Sequence, residues 1–272
     1  MPVSRARAVV VAVVLASGTP GAAAAQEIVS VPTRPGVTVR MLLVAPAERP
    51  SATVVLFPGG YGAGHFPEKD GRVALGINFL VRGAPFFAER GLLAAVIDTP
   101  SDQPGGMEDD WRTSAKHVED VRAVLDALQP RAAGRLVLIG TSRGTLSAAY
   151  IAAKIDDPRV TGLILTSSMV AHGRGRWATV YETPLDKIRV PVLIVHHRSD
   201  DCRATPIGAA VSLPKWLKKS PKVDFVEVLG GDSAISDPCE PLAPHGYLGR
   251  EREVVGVIAD WIAGKPVPKQ LP

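Results

Sequence analysis

Gly140-Thr141-Ser142-Arg143-Gly144 is a G-x-S-x-G pentapeptide. A serine in this setting serves as a nucleophile when the chain turns so sharply at it that its hydroxyl stands clear of the backbone. The glycines are then required, because a Cβ two residues to either side would collide with neighbouring main chain. The pentapeptide alone arises by chance in roughly one chain in ten of this size, so its surroundings decide. It follows the apolar run 136–139 and precedes the small-residue stretch 145–153. A strand, a tight turn and a helix in that order are what expose a nucleophile.

A serine hydroxyl is a weak nucleophile without a base to take its proton and an acid to orient that base. The six histidines are His65, His117, His172, His196, His197 and His245. Of these, His245 alone lies beyond the last predicted strand, in the loop 239–246, and is predicted as the base. The segment His196-His197-Arg198-Ser199-Asp200-Asp201 follows a predicted strand and supplies the acid: Asp200 is favoured and Asp201 is the alternative. A tetrahedral oxyanion needs two fixed N–H donors. The backbone N–H of Arg143 is one candidate. The other comes from Pro58-Gly59-Gly60-Tyr61-Gly62, with Gly60 first and Tyr61 second. A phosphate-binding reading of these glycines fails, because no G-K-[ST] follows them. His196 and His197 are adjacent on a strand and point to opposite faces, so they do not share a metal. One is expected inside and the other at the rim. No metal or cofactor site is predicted.

Those residues need a scaffold. Short apolar, β-branched runs recur at 37–44, 53–57, 92–97, 136–139, 160–165, 190–195 and 223–229, with an eighth at 27–31. Several are apolar throughout, as strands covered on both faces should be. Trp111, Ala115, Val118, Val121, Leu125 and Leu128 fall on one helical face, and Val254, Val255, Ile258, Trp261 and Ile262 on another, closed by Gly264. The second half of 61–88 also reads as helical. Strands alternating with helices predict an α/β fold: a mostly parallel eight-stranded sheet with helices on both faces. The first runs, with no helix between them, should pair antiparallel. The excursion 169–189 stands where a small cap would sit. Trp177 and Tyr181 within it are expected to cover the core.

The chain has 272 residues, 46% hydrophobic and 21% charged, which excludes disorder and a multi-span membrane protein. Arg5 and Arg7 lead into an apolar run at 8–16, Gly18, Pro20 and Gly21 break it, and Ala22-Ala23-Ala24-Ala25-Gln26 offers a cleavage site. Residues 1–25 therefore read as a secretory signal peptide, and 26–272 as one domain with no stable membrane anchor, periplasmic or secreted. The apolar run is about half the ~20 residues that a span needs. The two leader arginines account for half of the formal charge of +4, and no basic cluster interleaved with aromatics suggests a nucleic-acid partner. Two cysteines in an exported chain, Cys202 and Cys239, imply one disulfide between the acid loop and the base loop.

Phe57-Pro58-Gly59-Gly60, Asn78-Phe79-Leu80-Val81-Arg82, Asp98-Thr99-Pro100-Ser101-Asp102, the elbow with Thr145, His196 through Cys202, and Cys239 through Gly246 resemble the α/β-hydrolase superfamily. They look most like a group of secreted bacterial α/β-hydrolases without a settled substrate. The resemblance implies the eight-stranded fold with a small cap, hydrolytic chemistry, and a triad of Ser142, Asp200 and His245. His197 stands where many such proteins carry a glycine near the acid. Pro58 stands where the lipase and esterase groups with an H-G-G-G loop carry histidine, and Ser142 replaces the cysteine of dienelactone hydrolases. The expected activity is that of a serine carboxylesterase on a small-molecule ester. A peptidase or amidase on the same triad, and a non-catalytic binding protein of the same fold, are the alternatives.

Overall fold

The computed structural model describes residues 24–64, 66–69, 72–173 and 177–272. The predicted leader, apart from Ala24 and Ala25, lies outside the described residues, as does His65. Among the described residues nine strands form the main sheet: β1 (Ala25–Arg34), β2 (Val37–Ala45), β3 (Ala52–Phe57), β4 (Leu92–Pro100), β5 (Arg135–Thr141), β6 (Val160–Thr166), β7 (Val192–His197), β8 (Val223–Val228) and β9 (Gln270–Leu271). Their order across the sheet is β1-β2-β4-β3-β5-β6-β7-β8-β9. The pairs β1–β2 and β2–β4 are antiparallel and the others parallel.

Two expectations need correction. The sheet has nine strands rather than eight, because the C-terminal tail adds β9 beside β8. The tail covers an edge that would otherwise leave Glu227 N and Leu229 N unpaired: they donate to Lys269 O and Leu271 O. A two-residue strand between prolines carries no readable period. Second, the antiparallel reading holds for β1 and β2 but not for β3, which lies between β4 and β5 and runs parallel to both. Its six residues are buried throughout, which only a central, doubly covered strand allows.

Helices α1 (Phe79–Arg82) and α2 (Ala84–Glu89) occupy the stretch expected to be helical before β4. The helix read across 111–128 is two: α3 (Asp109–Arg112) and α4 (Ala115–Leu128). Ser114 breaks the run by capping α4, its hydroxyl accepting from His117 N. The break turns the buried face, so Ala115 is exposed while His117 and Asp120 point inward. Asp120 is compensated by Arg34 Nε at 2.8 Å. Helix α5 (Gly144–Lys154) follows the elbow, α6 (Ile207–Ala210) follows the acid loop, and α7 (Glu251–Ile262) buries the face predicted for it. Hydrophobic clusters on the two sides of the sheet give the strands a rigid mounting, so the carboxyl-end loops of β3, β5 and β7 are carried at fixed positions.

Candidate active site

Ser142 sits between β5 and α5 with φ +52°, a conformation rare for a residue with a side chain. A Cβ on Gly144 would lie 2.0 Å from Phe57 O, and one on Gly140 would lie 2.4 Å from Gly144 O. Both positions are therefore closed to any other residue. The loop after β3 approaches as closely: a Cβ on Gly59 would lie 2.9 Å from Ser142 Cβ. Within that loop, Gly62 N donates to Gly59 O at 3.0 Å and Met107 N to Tyr61 O at 2.7 Å. The backbone N–H groups of Gly60, Tyr61 and Arg143 make no backbone hydrogen bond among the described residues.

The loops that carry Asp200 and His245 meet. His245 Nδ1 is 3.0 Å from Asp200 Oδ2 and 3.2 Å from Oδ1, with both residues buried. Asp200 also accepts from Cys202 N at 3.0 Å and Thr205 Oγ1 at 2.9 Å. Asp201, its neighbour, is exposed. His245 is held through its own backbone. Ser167 Oγ donates to His245 O at 2.7 Å, and Arg82 Nη2 donates to Gly246 O at 2.7 Å. Tyr247 Oη accepts from Ser167 N and donates to Val195 O, tying the same loop to the ends of β6 and β7. Burial raises the Tyr247 phenol well above its usual value, which keeps it a donor. Ser142 and His245 line one cleft without a hydrogen bond between them in this structure. Catalytic contacts often close only when a reactant is bound.

Cys202 and Cys239 are joined, with Cα atoms 4.6 Å apart, so the acid loop is stapled to the base loop six residues before His245. The bond has a second consequence. Donor atoms of Asp200, Cys202 and His245 lie within 4.8 Å of one another, but the sulfur of a disulfide is not a thiolate ligand. Closing a loop of 37 residues contributes on the order of 4 kcal/mol by loop entropy. Reduction with dithiothreitol is expected to lower Tm by about 5–15 °C. A Tm that does not respond to reductant would contradict the clasp.

His196 and His197 do point to opposite faces, but the expected rim histidine is not found: both are buried. His196 Nε2 bonds Thr205 O at 2.7 Å, and His197 Nε2 bonds Gly230 O at 3.0 Å. Burial holds both imidazoles below their usual pKa, with the Asp200 carboxylate opposing. Neutral rings fit their service as supports for the acid loop. Trp177 lines the cleft, contrary to the core-covering expectation, whereas Tyr181 does cover the core beside Trp216.

The cleft holds about 470 Å³. Ile77, Phe79, Val81, Met169 and Trp177 make its apolar wall, and Asn78 and Glu240 add polar atoms. The Arg143 side chain is turned away to Asp109 and Glu108, each at 2.8 Å. Burial alone would lower its pKa, but the hydrogen bonds to Glu108 and Asp109 raise it. Sequence reasoning missed Thr205, Ser167 and Arg112, and it quoted Arg82 within a family-resembling stretch without giving it a role. Their only signal was position within the stretches around the loops, since each acts through backbone or side-chain oxygens that no spacing rule specifies.

The sheet order, with the Ser142 turn after β5, Asp200 after β7 and His245 after β8, is that of the α/β-hydrolase fold. Comparison with solved structures agrees. Est1E from Butyrivibrio proteoclasticus superposes with a TM-score of 0.58 at 17% identity, covering 87% of this chain and 98% of that one. Proline iminopeptidase from Mycobacterium smegmatis gives 0.61 at 13%, covering 87% and 98%. XC6422 from Xanthomonas campestris, an α/β serine hydrolase without a lid, gives 0.56 at 14%, covering 89% and 96%. No protein-family model and no curated protein matches the sequence.

Proposed function

We propose that the protein is a serine hydrolase, with carboxylic esters of small molecules as its substrates, and that Ser142, His245 and Asp200 form its triad. The observation that carries this reading is the Asp200–His245 contact at 3.0 Å beside the Ser142 elbow, in one cleft. His245 takes the Ser142 proton as Oγ attacks the ester carbonyl. The tetrahedral oxyanion is received by the N–H of Arg143 and of Gly60 or Tyr61. His245 then protonates the departing alcohol, leaving an acyl-enzyme. Water, deprotonated by His245, releases the acid and restores Ser142. Asp200 holds the imidazole tautomer and stabilises the imidazolium. A cleft of about 470 Å³ with an apolar wall suits a short acyl or alcohol group. Esterases among the structural neighbours favour the ester reading, and the iminopeptidase among them motivates the amide alternative. The signal-like leader and the Cys202–Cys239 bond support export to an oxidising compartment.

A fluorophosphonate probe is expected to label the wild type and not Ser142→Ala. Short p-nitrophenyl esters are expected to turn over at least a hundredfold faster than an aminoacyl p-nitroanilide. Equal labelling of both proteins would overturn the nucleophile assignment, and a faster anilide reaction would make the protein an amidase.

A further inference from the structure

Arg112, the last residue of α3, is fully buried, with no carboxylate within ion-pair distance among the described residues. A buried unpaired cation is costly, so its surroundings have to compensate. Its partners are oxygens of the site. Nη2 donates to Gly60 O at 2.9 Å, and Nη1 donates to Ser147 Oγ at 3.1 Å, with a marginal contact to Pro58 O at 3.5 Å. Ser147 lies in the first turn of α5, the helix that begins just after the nucleophile. One guanidinium thus links the loop and the helix that carry both candidate oxyanion donors. The loop wraps it closely: a Cβ on Gly62 would lie 2.8 Å from Nη2.

The peptide between Gly60 and Tyr61 is planar and trans, so its N–H points away from its carbonyl. Fixing Gly60 O on Arg112 therefore fixes the direction of the Tyr61 N–H on the opposite side. Gly62 N on Gly59 O does the same for the Gly60 N–H, but with a neutral donor from the loop itself. Of the two candidate loop donors, Tyr61 is the one whose peptide is braced by a charge among the described residues. A cation at one end of a peptide dipole polarises it and strengthens the hydrogen bond given at the other end, most of all where water is excluded.

We propose that Arg112 is a positioning residue that orients and polarises the Tyr61 N–H toward the oxyanion, and that Tyr61 therefore outranks Gly60 as the loop donor. The proposal rests on the hydrolase reading of Ser142. Arg112 touches no reacting atom; it acts through the Gly60–Tyr61 peptide. Burial, and after it the Arg143 cation, lower its pKa to about 9, which still leaves it charged at pH 7. Its contribution is therefore present at neutral pH.

The test uses Arg112→Met, which keeps an unbranched apolar stem and loses charge and donors, and Arg112→Lys, which keeps the charge and loses the fork. Both are compared with the wild type on p-nitrophenyl acetate, with folding followed by circular dichroism. Binding of an alkyl trifluoromethyl ketone, which forms a tetrahedral oxyanion on a serine, is measured alongside. Arg112→Met is expected to lose about 100-fold in kcat, with KM changed less than about threefold, and Arg112→Lys about tenfold. The ketone Ki is expected to rise by the same factor as kcat/KM falls, which loosened packing alone would not produce. A folded Arg112→Met with kcat within threefold of wild type overturns the proposal. So does a ketone Ki that stays constant while kcat/KM falls, and so does failure of both variants to fold, which would make Arg112 a support of the fold. A wild type that neither hydrolyses the ester nor takes the fluorophosphonate label refutes the hydrolase reading instead.

Discussion

Ser142→Ala is expected to lower kcat on p-nitrophenyl acetate by on the order of 10⁵- to 10⁶-fold while leaving Tm within about 2 °C. Both halves come from the same geometry. The proposed mechanism has no second nucleophile, so losing Oγ removes the acyl-enzyme route, and the oxyanion donors left behind act only on the direct attack of water. The fold is indifferent to Oγ, because it makes no hydrogen bond among the described residues and the elbow is shaped around the serine backbone. Alanine keeps the Cβ that packs near Gly59 and bears the same strain at φ +52°. A purified Ser142→Ala retaining a tenth of the wild-type kcat would sink the mechanism, whatever its stability.

Asp200→Asn should cost about 10⁴-fold in kcat, and Asp201→Asn less than twofold. Asp200 is buried and accepts three hydrogen bonds, from Cys202 N, from Thr205 Oγ1 and from the His245 Nδ1 that it orients. An asparagine brings an N–H₂ group into a shell made of donors. Whichever way it is flipped, it confronts one of them or offers His245 a donor and so selects the wrong tautomer. Asp201 is exposed and touches neither partner, so the same change there alters only a solvated charge. A larger loss in Asp201→Asn than in Asp200→Asn would reverse the assignment of the acid. A large loss in neither would remove the acid from the mechanism.

These two aspartates mark where the sequence stops being informative. Adjacent residues of one type at a strand end differ only in which way each side chain points. That direction is set by the turn Asp200 N to His197 O and by the Thr205 and Cys202 groups that meet it. The split of 109–128 into two helices has the same origin. Ser114 reads as one more polar position in a helical pattern, until its hydroxyl takes the His117 N–H and turns the buried face. β3 shows it at larger scale: its apolar run announces a strand, but its crossing to the sheet centre depends on which neighbours close its hydrogen bonds.

Local chemistry was legible in the chain itself. The elbow reads from its glycines because their constraint is steric and lies within five residues. Two cysteines allow one intramolecular pairing, and a histidine in the loop after the last apolar run, the later β8, returns over the carboxyl ends of the parallel strands. The α/β alternation follows from the apolar periods. Tertiary structure alone decided what depends on contacts remote in sequence. It chose the carboxylate that meets His245, buried both histidines of the 196–197 pair, and opened Trp177 to the cleft. It also set Arg112 beneath the oxyanion loop, 52 residues from Gly60. A buried arginine in an amphipathic segment looks like a surface residue until the fold surrounds it with carbonyl oxygens. Periodicity reports how a side chain relates to its own helix or strand, and carries no record of which distant backbone will come to meet it.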